Sequence, residues 1–199
     1  MITMTQYLKH DGLTISKGNY KIDRCTGVWN ITCYLNCTFC YNRKMRFRSA
    51  ELCKARNKSL SKKNHFVDSF DYLVKKYKFA QFRYHADGEV YDQFYFKALE
   101  SIAKRNPQCF FVMYTRSKFI PVDYYTGKSK QSNFRIIDSL ARKTSKHKAV
   151  IIEKTDKTPE GYFRCPAASK KDTGICAKTC NYCYDSAIEI ISVAFENHQ

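Results

Sequence analysis

Strand-like and helix-like segments alternate along the middle of this chain of 199 residues, and this alternation restricts its fold more than any other feature. Apolar residues recur at helical spacing in residues 65–78 and 91–106. Stretches rich in β-branched and aromatic residues lie around them, at 26–34, 79–87, 109–117, 134–141 and 148–155. Because strands joined through helices pair in parallel, the sequence predicts an α/β fold with a parallel sheet, curved into a partial TIM-like (β/α) barrel.

The character of the chain changes near Gly161. A cysteine-rich loop begins there, and residues 187–198 predict a last strand. We therefore expect two parts, a partial barrel at residues 1–160 and a cysteine-rich segment with a closing strand at residues 161–199.

Composition indicates a folded protein that does not enter a membrane. Hydrophobic residues make up 44% of the chain, which favours a globular core. No apolar run approaches the ~18 residues of a membrane helix, and the first residues, MITMTQYLKHDG, contain no apolar signal core. The sequence therefore predicts a cytoplasmic protein, in a compartment where clustered cysteines hold metal more often than they form disulfides.

The first of two cysteine groups is the triplet Cys33, Cys37 and Cys40, spaced C-x3-C-x2-C. Three thiolates leave one position of a four-coordinate site open. A metal centre here would take its fourth ligand either from Cys25 or from a bound molecule. The triplet predicts a metal centre and leaves this choice open.

The second group lies near the C-terminus and contains Cys165, Cys176, Cys180 and Cys183. Four thiolates complete a tetrahedral set, which zinc and an iron–sulfur cluster both satisfy. The spacing predicts a metal site and leaves the metal open.

The segment CYLNCTFC resembles the signature of the radical S-adenosylmethionine superfamily, C-x3-C-x-aromatic-C after a first strand. The resemblance implies a barrel of that superfamily's type with a C-terminal iron–sulfur loop. Cys33, Cys37 and Cys40 would hold a [4Fe–4S] cluster, with Phe39 beside the bound cofactor. S-adenosylmethionine would bind the open iron and, with an external electron donor, be cleaved to a 5′-deoxyadenosyl radical that abstracts hydrogen from a substrate. The resemblance also favours a second iron–sulfur cluster over zinc at the C-terminal cysteines.

The residues after the second strand extend this resemblance. Asp87, Gly88 and Glu89 fall where the superfamily binds the amino group of its cofactor, although Asp87 replaces the usual first glycine. Glycine lets the backbone approach a ligand closely, and a carboxylate suits an ammonium group. His85 and Glu89 are the expected catalytic residues.

The ends of the next two strands supply further candidates. Arg116 and Ser117 follow the third strand, and Asp138 and Ser139 lie at the end of the fourth. Ligands bind at the carboxyl ends of such strands. The resemblance implies that Arg116, Ser117 and Ser139 bind the cofactor, with Asp138 in the same region.

A narrower resemblance is to the phage gene-product-88 family. It is carried by the segments FRYHADGEVYD and YTRS, by the cysteines that follow CPA, and by a final AFENH. It covers most of residues 25–198. It implies a bacteriophage protein that works in the cytosol of a bacterial host.

The formal net charge of +17 attracts polyanions, above all nucleic acid. We therefore predict a radical S-adenosylmethionine enzyme whose unknown substrate is a nucleic acid, a nucleotide or another anion. The alternative is a non-catalytic zinc or iron–sulfur module that binds nucleic acid through its lysines. Two further alternatives are an electron-transfer or regulatory protein with two closed clusters, and a degenerate barrel that binds S-adenosylmethionine without cleaving it.

Overall fold

The computed structural model describes residues 6–18, 26–35, 37, 48–166 and 180–196. Its strands are β1 (Gln6–His10), β2 (Leu13–Lys17), β3 (Thr26–Trp29), β4 (Gln81–Tyr84), β5 (Phe110–Thr115), β6 (Phe134–Asp138), β7 (Lys148–Ile152), β8 (Phe163–Arg164) and β9 (Ser192–Glu196). Its helices are α1 (Arg48–Leu60), α2 (Phe66–Lys76), α3 (Gln93–Arg105) and α4 (Val122–Thr126).

The described strands form one open, mixed sheet in the order β1-β2-β3-β4-β5-β6-β7-β9-β8. The strands β3 to β9 pair with one another in parallel. β1 and β2 form an antiparallel hairpin, and β2 also pairs antiparallel with β3. The predicted barrel is therefore wrong. The hairpin occupies the edge of β3 through which a barrel would close, and β8 at the other edge has only two residues.

Helices cover one face of the sheet. The residues at helical spacing in α2 are buried, namely Phe66, Phe70, Leu73 and Val74. The same holds in α3 for Tyr95, Leu99, Ile102 and Ala103. These side chains pack on strand aromatics such as Phe82, Tyr84 and Phe111. Each fully buried side chain of this size contributes about 1.5–3 kcal/mol, so the core holds β3 to β6 firmly side by side.

The opposite face carries a smaller apolar cluster that includes Val112, Ile137, Tyr184 and Val193. The segment 180–191 lies over this face, and Arg135 on β6 binds it through three hydrogen bonds. The guanidinium donates to the carbonyls of Cys183 at 3.1 Å, Asp185 at 2.9 Å and Ile188 at 3.1 Å. Strand β9 then enters the sheet between β7 and β8, so residues on both sides of position 160 share one sheet. The division into two parts stays a prediction.

The N-terminal hairpin and α1 were not predicted. The hairpin turns at Asp11 and Gly12, which both have positive φ (47° and 78°), and Asp-Gly is a recognised two-residue hairpin signal. Helix α1 buries only Asn57, so it has no apolar face that periodicity would detect.

Candidate binding site at the carboxyl edge of the sheet

The loops that follow β3, β4, β5 and β6 meet at one edge of the sheet, because these strands are consecutive and parallel. We call this the carboxyl edge and define it as residues 30–35, 85–92, 116–117 and 139. The described candidates Asp87, Gly88, Glu89, Arg116, Ser117 and Ser139 all lie in these loops. Phe39 and Cys40, which were predicted in the same region, lie outside the described residues.

Glu89 joins the loop after β4 to the end of β5. Its side chain accepts hydrogen bonds from the Val90 amide at 2.8 Å, the Arg116 amide at 3.0 Å and the Thr115 hydroxyl. Burial raises the pKa of this carboxyl, which is 3% exposed, while these hydrogen bonds lower it. Glu89 therefore positions two loops of the edge, and its predicted catalytic and cofactor roles stay predictions.

Gly88 and Asp87 bind the loop after β4 to the loop after β3. Gly88 has φ +128°, and a Cβ at this position would lie 2.7 Å from the Ile31 carbonyl oxygen. The Asp87 carbonyl accepts from the Ile31 amide at 3.2 Å, and the Asp87 amide donates to the Asn30 side chain at 2.8 Å. Glycine is needed at position 88 because the two backbones touch there. The close approach to a ligand that the sequence predicts for Gly88 stays a prediction.

Helix α1 lies across the carboxyl edge. The Lys54 ammonium bonds the Asp87 carboxylate and also lies 2.5 Å from Glu51. The Asn57 amide donates to the Asn30 carbonyl at 2.9 Å, and the Ser61 hydroxyl, just beyond the helix, pairs with the Tyr91 hydroxyl at 2.7 Å. The basic residues of α1 therefore border this edge.

His85 follows β4 at the carboxyl edge and is buried against the main apolar core. Its Nε2 lies 2.8 Å from the Tyr95 hydroxyl, which also accepts a hydrogen bond from the Trp29 indole at 2.7 Å. Its Nδ1 is buried and has no hydrogen-bond partner among the described residues. Burial lowers the pKa of the imidazole to about 3, so His85 is neutral at physiological pH. Its catalytic role stays a prediction.

Ser117 and Ser139 make bonds that hold loops. The Ser117 hydroxyl donates to the Val90 carbonyl at 2.9 Å and accepts from the Phe119 amide at 3.1 Å. The Ser139 amide donates to the Thr115 carbonyl at 2.8 Å. An Arg116 guanidinium nitrogen lies 3.5 Å from the Ser139 carbonyl. These contacts join the ends of β5 and β6, and ligand contacts by the three predicted residues stay predictions.

Asp138 organises the loop after β6. Its buried carboxylate accepts hydrogen bonds from the Leu140 amide at 2.9 Å, the Arg142 amide at 3.1 Å and the Ser145 hydroxyl at 2.7 Å. The Arg142 guanidinium also lies 3.2 Å from it. With these partners, Asp138 is a loop-forming residue.

The placement of the predicted ligand residues contradicts the predicted cofactors. Among the described residues, no group of three or more histidine, cysteine, aspartate or glutamate side chains is placed to hold a metal ion. Cys25, Cys40 and Cys176 lie outside the described residues. For the described part of the chain, the predicted [4Fe–4S] cluster, the S-adenosylmethionine on its open iron and the second iron–sulfur cluster or zinc are therefore wrong.

The described cysteines serve other contacts. The Cys183 sulfur accepts a hydrogen bond from the Tyr114 hydroxyl at 2.7 Å, and Cys165 and Cys183 pack against the smaller apolar cluster. The Cys33 thiol contacts the Leu35 carbonyl at 3.8 Å, and burial raises its pKa to about 11. Metals bind the thiolate, whereas burial favours the thiol form of Cys33. Cys165 and Cys183 pack as small side chains beside the apolar cluster.

Sequence reasoning missed three residues at this edge, namely Tyr91, Lys58 and Lys62. The two ammonium groups lie 5.2 Å and 5.6 Å from the centre of the Tyr91 ring. The other ring partner is Tyr95, stacked at 4.6 Å with an interplanar angle of 8°. The signal in the sequence was the basic run KARNKSLSKK. Only the fold brings it to Tyr91, which is 33 residues after Lys58 and 29 residues after Lys62 in the chain.

Within the described ranges, no helix is long and apolar enough to cross a membrane.

Comparison with known proteins places this arrangement in a family. No curated protein and no solved structure matches the chain. A family model described as Gene product 88 matches residues 2–162, a range that includes every described residue of the carboxyl edge. The narrower of the two resemblances is thereby confirmed, and the chain belongs to the Gene product 88 family.

Proposed function

We propose that this protein binds single-stranded nucleic acid along the carboxyl edge of its sheet. The observation that carries the proposal is the pair of ammonium groups of Lys58 and Lys62 above the Tyr91 ring. Single-stranded nucleic acid is bound by aromatic rings that stack on bases and by cations that contact phosphates. Tyr95 occupies one face of the Tyr91 ring, so a base would stack on the other face and the two ammonium groups above it would move to phosphates. The ring is fixed in place by Tyr95 and by the Ser61 hydroxyl.

The charge of the surrounding helix supports the same partner. Residues 48–63 contain one acidic residue, Glu51, and the cations Arg48, Lys54, Arg56, Lys58, Lys62 and Lys63. Glu51 is already paired with Lys54. The segment 48–63 therefore has a strong positive charge, which attracts phosphate.

The test is binding of a fluorescent single-stranded oligonucleotide to the full chain, followed by anisotropy. We expect the double variant Lys58→Met and Lys62→Met to weaken binding about tenfold or more, since each lysine contacts a phosphate. The control is Lys154→Met with Lys157→Met, which removes the same charge from an exposed loop after β7. An equal loss in both double variants would mean that net charge alone binds the strand, and would overturn the site.

We also propose that the bound strand is a substrate and the protein an enzyme. The specific observation is the position of Cys33 at the carboxyl edge, near the carboxylates of Glu89 and Asp87. Burial and these charges raise its pKa, so Cys33 would take part as a protonated thiol and not as a thiolate nucleophile. The radical reaction first expected required the cofactors corrected above, and this proposal does not use them.

The enzyme is tested by incubating bacterial RNA and single-stranded DNA with the protein, digesting them to nucleosides and measuring the masses. The wild type is expected to change the mass of at least one nucleoside, and Cys33→Ser to lose that change while still binding the oligonucleotide. Cys53→Ser, on α1, is the control and keeps it. Identical nucleoside profiles with the wild type and Cys33→Ser would leave a binding protein without this activity.

Family membership supports a place of action. We propose that the chain is a bacteriophage protein that acts in the cytosol of the infected bacterium, where nucleic acids are abundant. Fractionation of infected cells would place it in the cytosol, whereas recovery with the membranes would contradict the proposal.

A further inference from the structure

A cavity of about 390 Å³ lies at the opposite edge of the sheet, at the amino ends of β5 and β6. We call it the amino-edge cavity. Its walls come from residues 127–132, which precede β6, from residues 146–147, which precede β7, and from residues 186–189 of the segment that leads to β9. Its size is within the range of small-molecule sites. None of its lining residues belongs to the carboxyl edge.

Arg135 gives the cavity wall a buried positive charge. Its side chain is only 7% exposed, and its nitrogens donate to three carbonyls of the segment 183–188. Burial disfavours the charge of Arg135 and the nearby Asp185 favours it, but none of the described carboxylates forms an ion pair with the guanidinium. A buried charge of this kind is stabilised by an anion.

Lys146 adds a second cation with a fixed position. Its stem lies against Gly127, where an added Cβ would be 2.3 Å from the lysine Cδ. The ammonium lies 3.5 Å from Glu189, whose side chain is 83% exposed. An exposed, long ion pair of this kind is worth little, so an anion in the cavity can replace the carboxylate.

His147 lines the cavity as a neutral hydrogen-bond donor. Its Nδ1 accepts a hydrogen bond from the Ile191 amide at 3.1 Å, which leaves the ring proton on Nε2. Burial, with help from Arg135 and Lys146, lowers the pKa of the ring to about 4. The hydroxyls of Ser132 and Ser186 are further donors in the lining.

The remaining wall is aromatic and apolar. Phe110, Tyr124 and Phe134 line it, and the Arg135 guanidinium lies 5.0 Å from the centre of the Phe110 ring. The Tyr124 hydroxyl is occupied by Glu100 at 2.6 Å, so this residue offers its ring. Cations, hydroxyls and flat rings in one cavity suit a ligand that has both an anionic group and an aromatic body.

We propose that the amino-edge cavity binds a nucleoside monophosphate, with its phosphate near Lys146 and Arg135 and its base against the aromatic wall. This site is independent of the proposed strand-binding function, because it lies at the other edge of the sheet. A small ligand here would hold the segment 183–188 against the sheet through the carbonyls that Arg135 binds.

The experiment is titration calorimetry of the full chain with adenosine, guanosine, cytidine and uridine monophosphates, with adenosine and inorganic phosphate as partial ligands. At least one monophosphate is expected to bind at concentrations below about 1 mM, more tightly than adenosine or phosphate. Lys146→Met is expected to weaken that binding about tenfold or more. Glu189→Gln is expected to strengthen it, because it frees Lys146.

Three controls make the result decisive. Lys143→Met removes an exposed lysine from the same loop outside the lining and should leave binding unchanged. The double variant Lys58→Met and Lys62→Met should also leave it unchanged, which separates this site from the carboxyl edge. Circular dichroism checks that each variant is folded. Failure of all four monophosphates to bind, or equal binding by wild type and Lys146→Met, would overturn the proposal.

Discussion

At the scale of single residues, the carboxyl edge contains two residues, Gly88 and His85, whose unusual backbone conformation is held by tertiary contacts. Gly88 and His85 both have positive φ, at +128° and +59°. One is held by contact with a neighbouring backbone and the other by burial against Tyr95. Each therefore predicts an effect that a residue of the same type at the surface would not show.

Gly88→Ala is expected to destabilise the fold by about 2 kcal/mol or more, through backbone strain and the close Ile31 carbonyl. Gly161→Ala is the control, since Gly161 also has positive φ (+75°) but nothing lies within 4 Å of an added Cβ. Urea unfolding measures both variants. Equal losses would show that the contact with Ile31 adds nothing to the strain.

His85 predicts a loss of stability in acid. Its pKa is about 3 in the folded protein against an ordinary value of 6.5, so the unfolded chain takes up its proton first as the pH falls. Stability is therefore complete above pH 6.5 and declines toward pH 3, with about 2 kcal/mol lost by pH 5 from this residue. Urea unfolding at pH 7 and pH 5 measures the loss.

His85→Asn tests the cause, because asparagine tolerates the same positive φ. The variant should lose less stability between pH 7 and pH 5 than the wild type does. His65→Asn, at an exposed histidine, serves as the control. An unchanged acid loss in His85→Asn would assign the effect to other groups.

At the scale of elements, the helices differ in what begins them. Helix α3 begins at an N-cap, Asp92, whose side chain accepts a hydrogen bond from the Tyr95 amide at 2.7 Å. Helix α2 follows His65, whose side chain makes no capping bond, and its stability comes from its buried apolar face. The cap matters for the site because α3 starts directly after the loop that contains Tyr91.

Asp92→Ala is expected to destabilise the protein by about 1 kcal/mol, since it leaves an amide of the first turn without a partner. The equivalent change in α2, His65→Ala, should cost much less. Thermal unfolding of the two variants compares them. A larger loss from His65→Ala would contradict the assignment of the cap.

At the scale of the whole molecule, one sheet presents two edges with different chemistry. The carboxyl edge brings thiols, carboxylates and the lysines of α1 together, and the amino edge contains the amino-edge cavity. The net charge of +17 acts on any polyanion that approaches. The dependence of oligonucleotide affinity on salt concentration separates the contribution of this net charge from the contribution of the site.

Oligonucleotide affinity should fall steeply with salt, because bound phosphates release counterions. Removing Lys58 and Lys62 together is expected to reduce the log–log slope by about 1.4, the value for two contacts on a single strand. Removing Lys154 and Lys157 should leave the slope nearly unchanged. The same reduction in both variants would attribute binding to the general charge of the surface.

Much of the fold was readable from periodicity, and the site only in part. The spacing of Phe66, Phe70, Leu73 and Val74 predicted α2 because burial of one helix face leaves a regular trace in sequence. The segment after β4 was correctly placed at the ends of parallel strands. The hydrogen bonds that occupy Glu89 and Ser117 were not foreseeable, since their partners come from loops distant in sequence.

By itself, the sequence determined the elements with periodic apolar faces, the basic charge and the family, because each depends on residue identity at short range. Tertiary structure decided what depends on long-range pairing. The antiparallel hairpin beside β3 keeps the sheet open where a barrel was expected. Spacing assigned the cysteines to metal, but in the described part of the chain Cys165 and Cys183 pack against the smaller apolar cluster, and burial favours the thiol form of Cys33. The pairing of Tyr91 with two lysines also required the fold, since a chain reveals which residues are close only after it has folded.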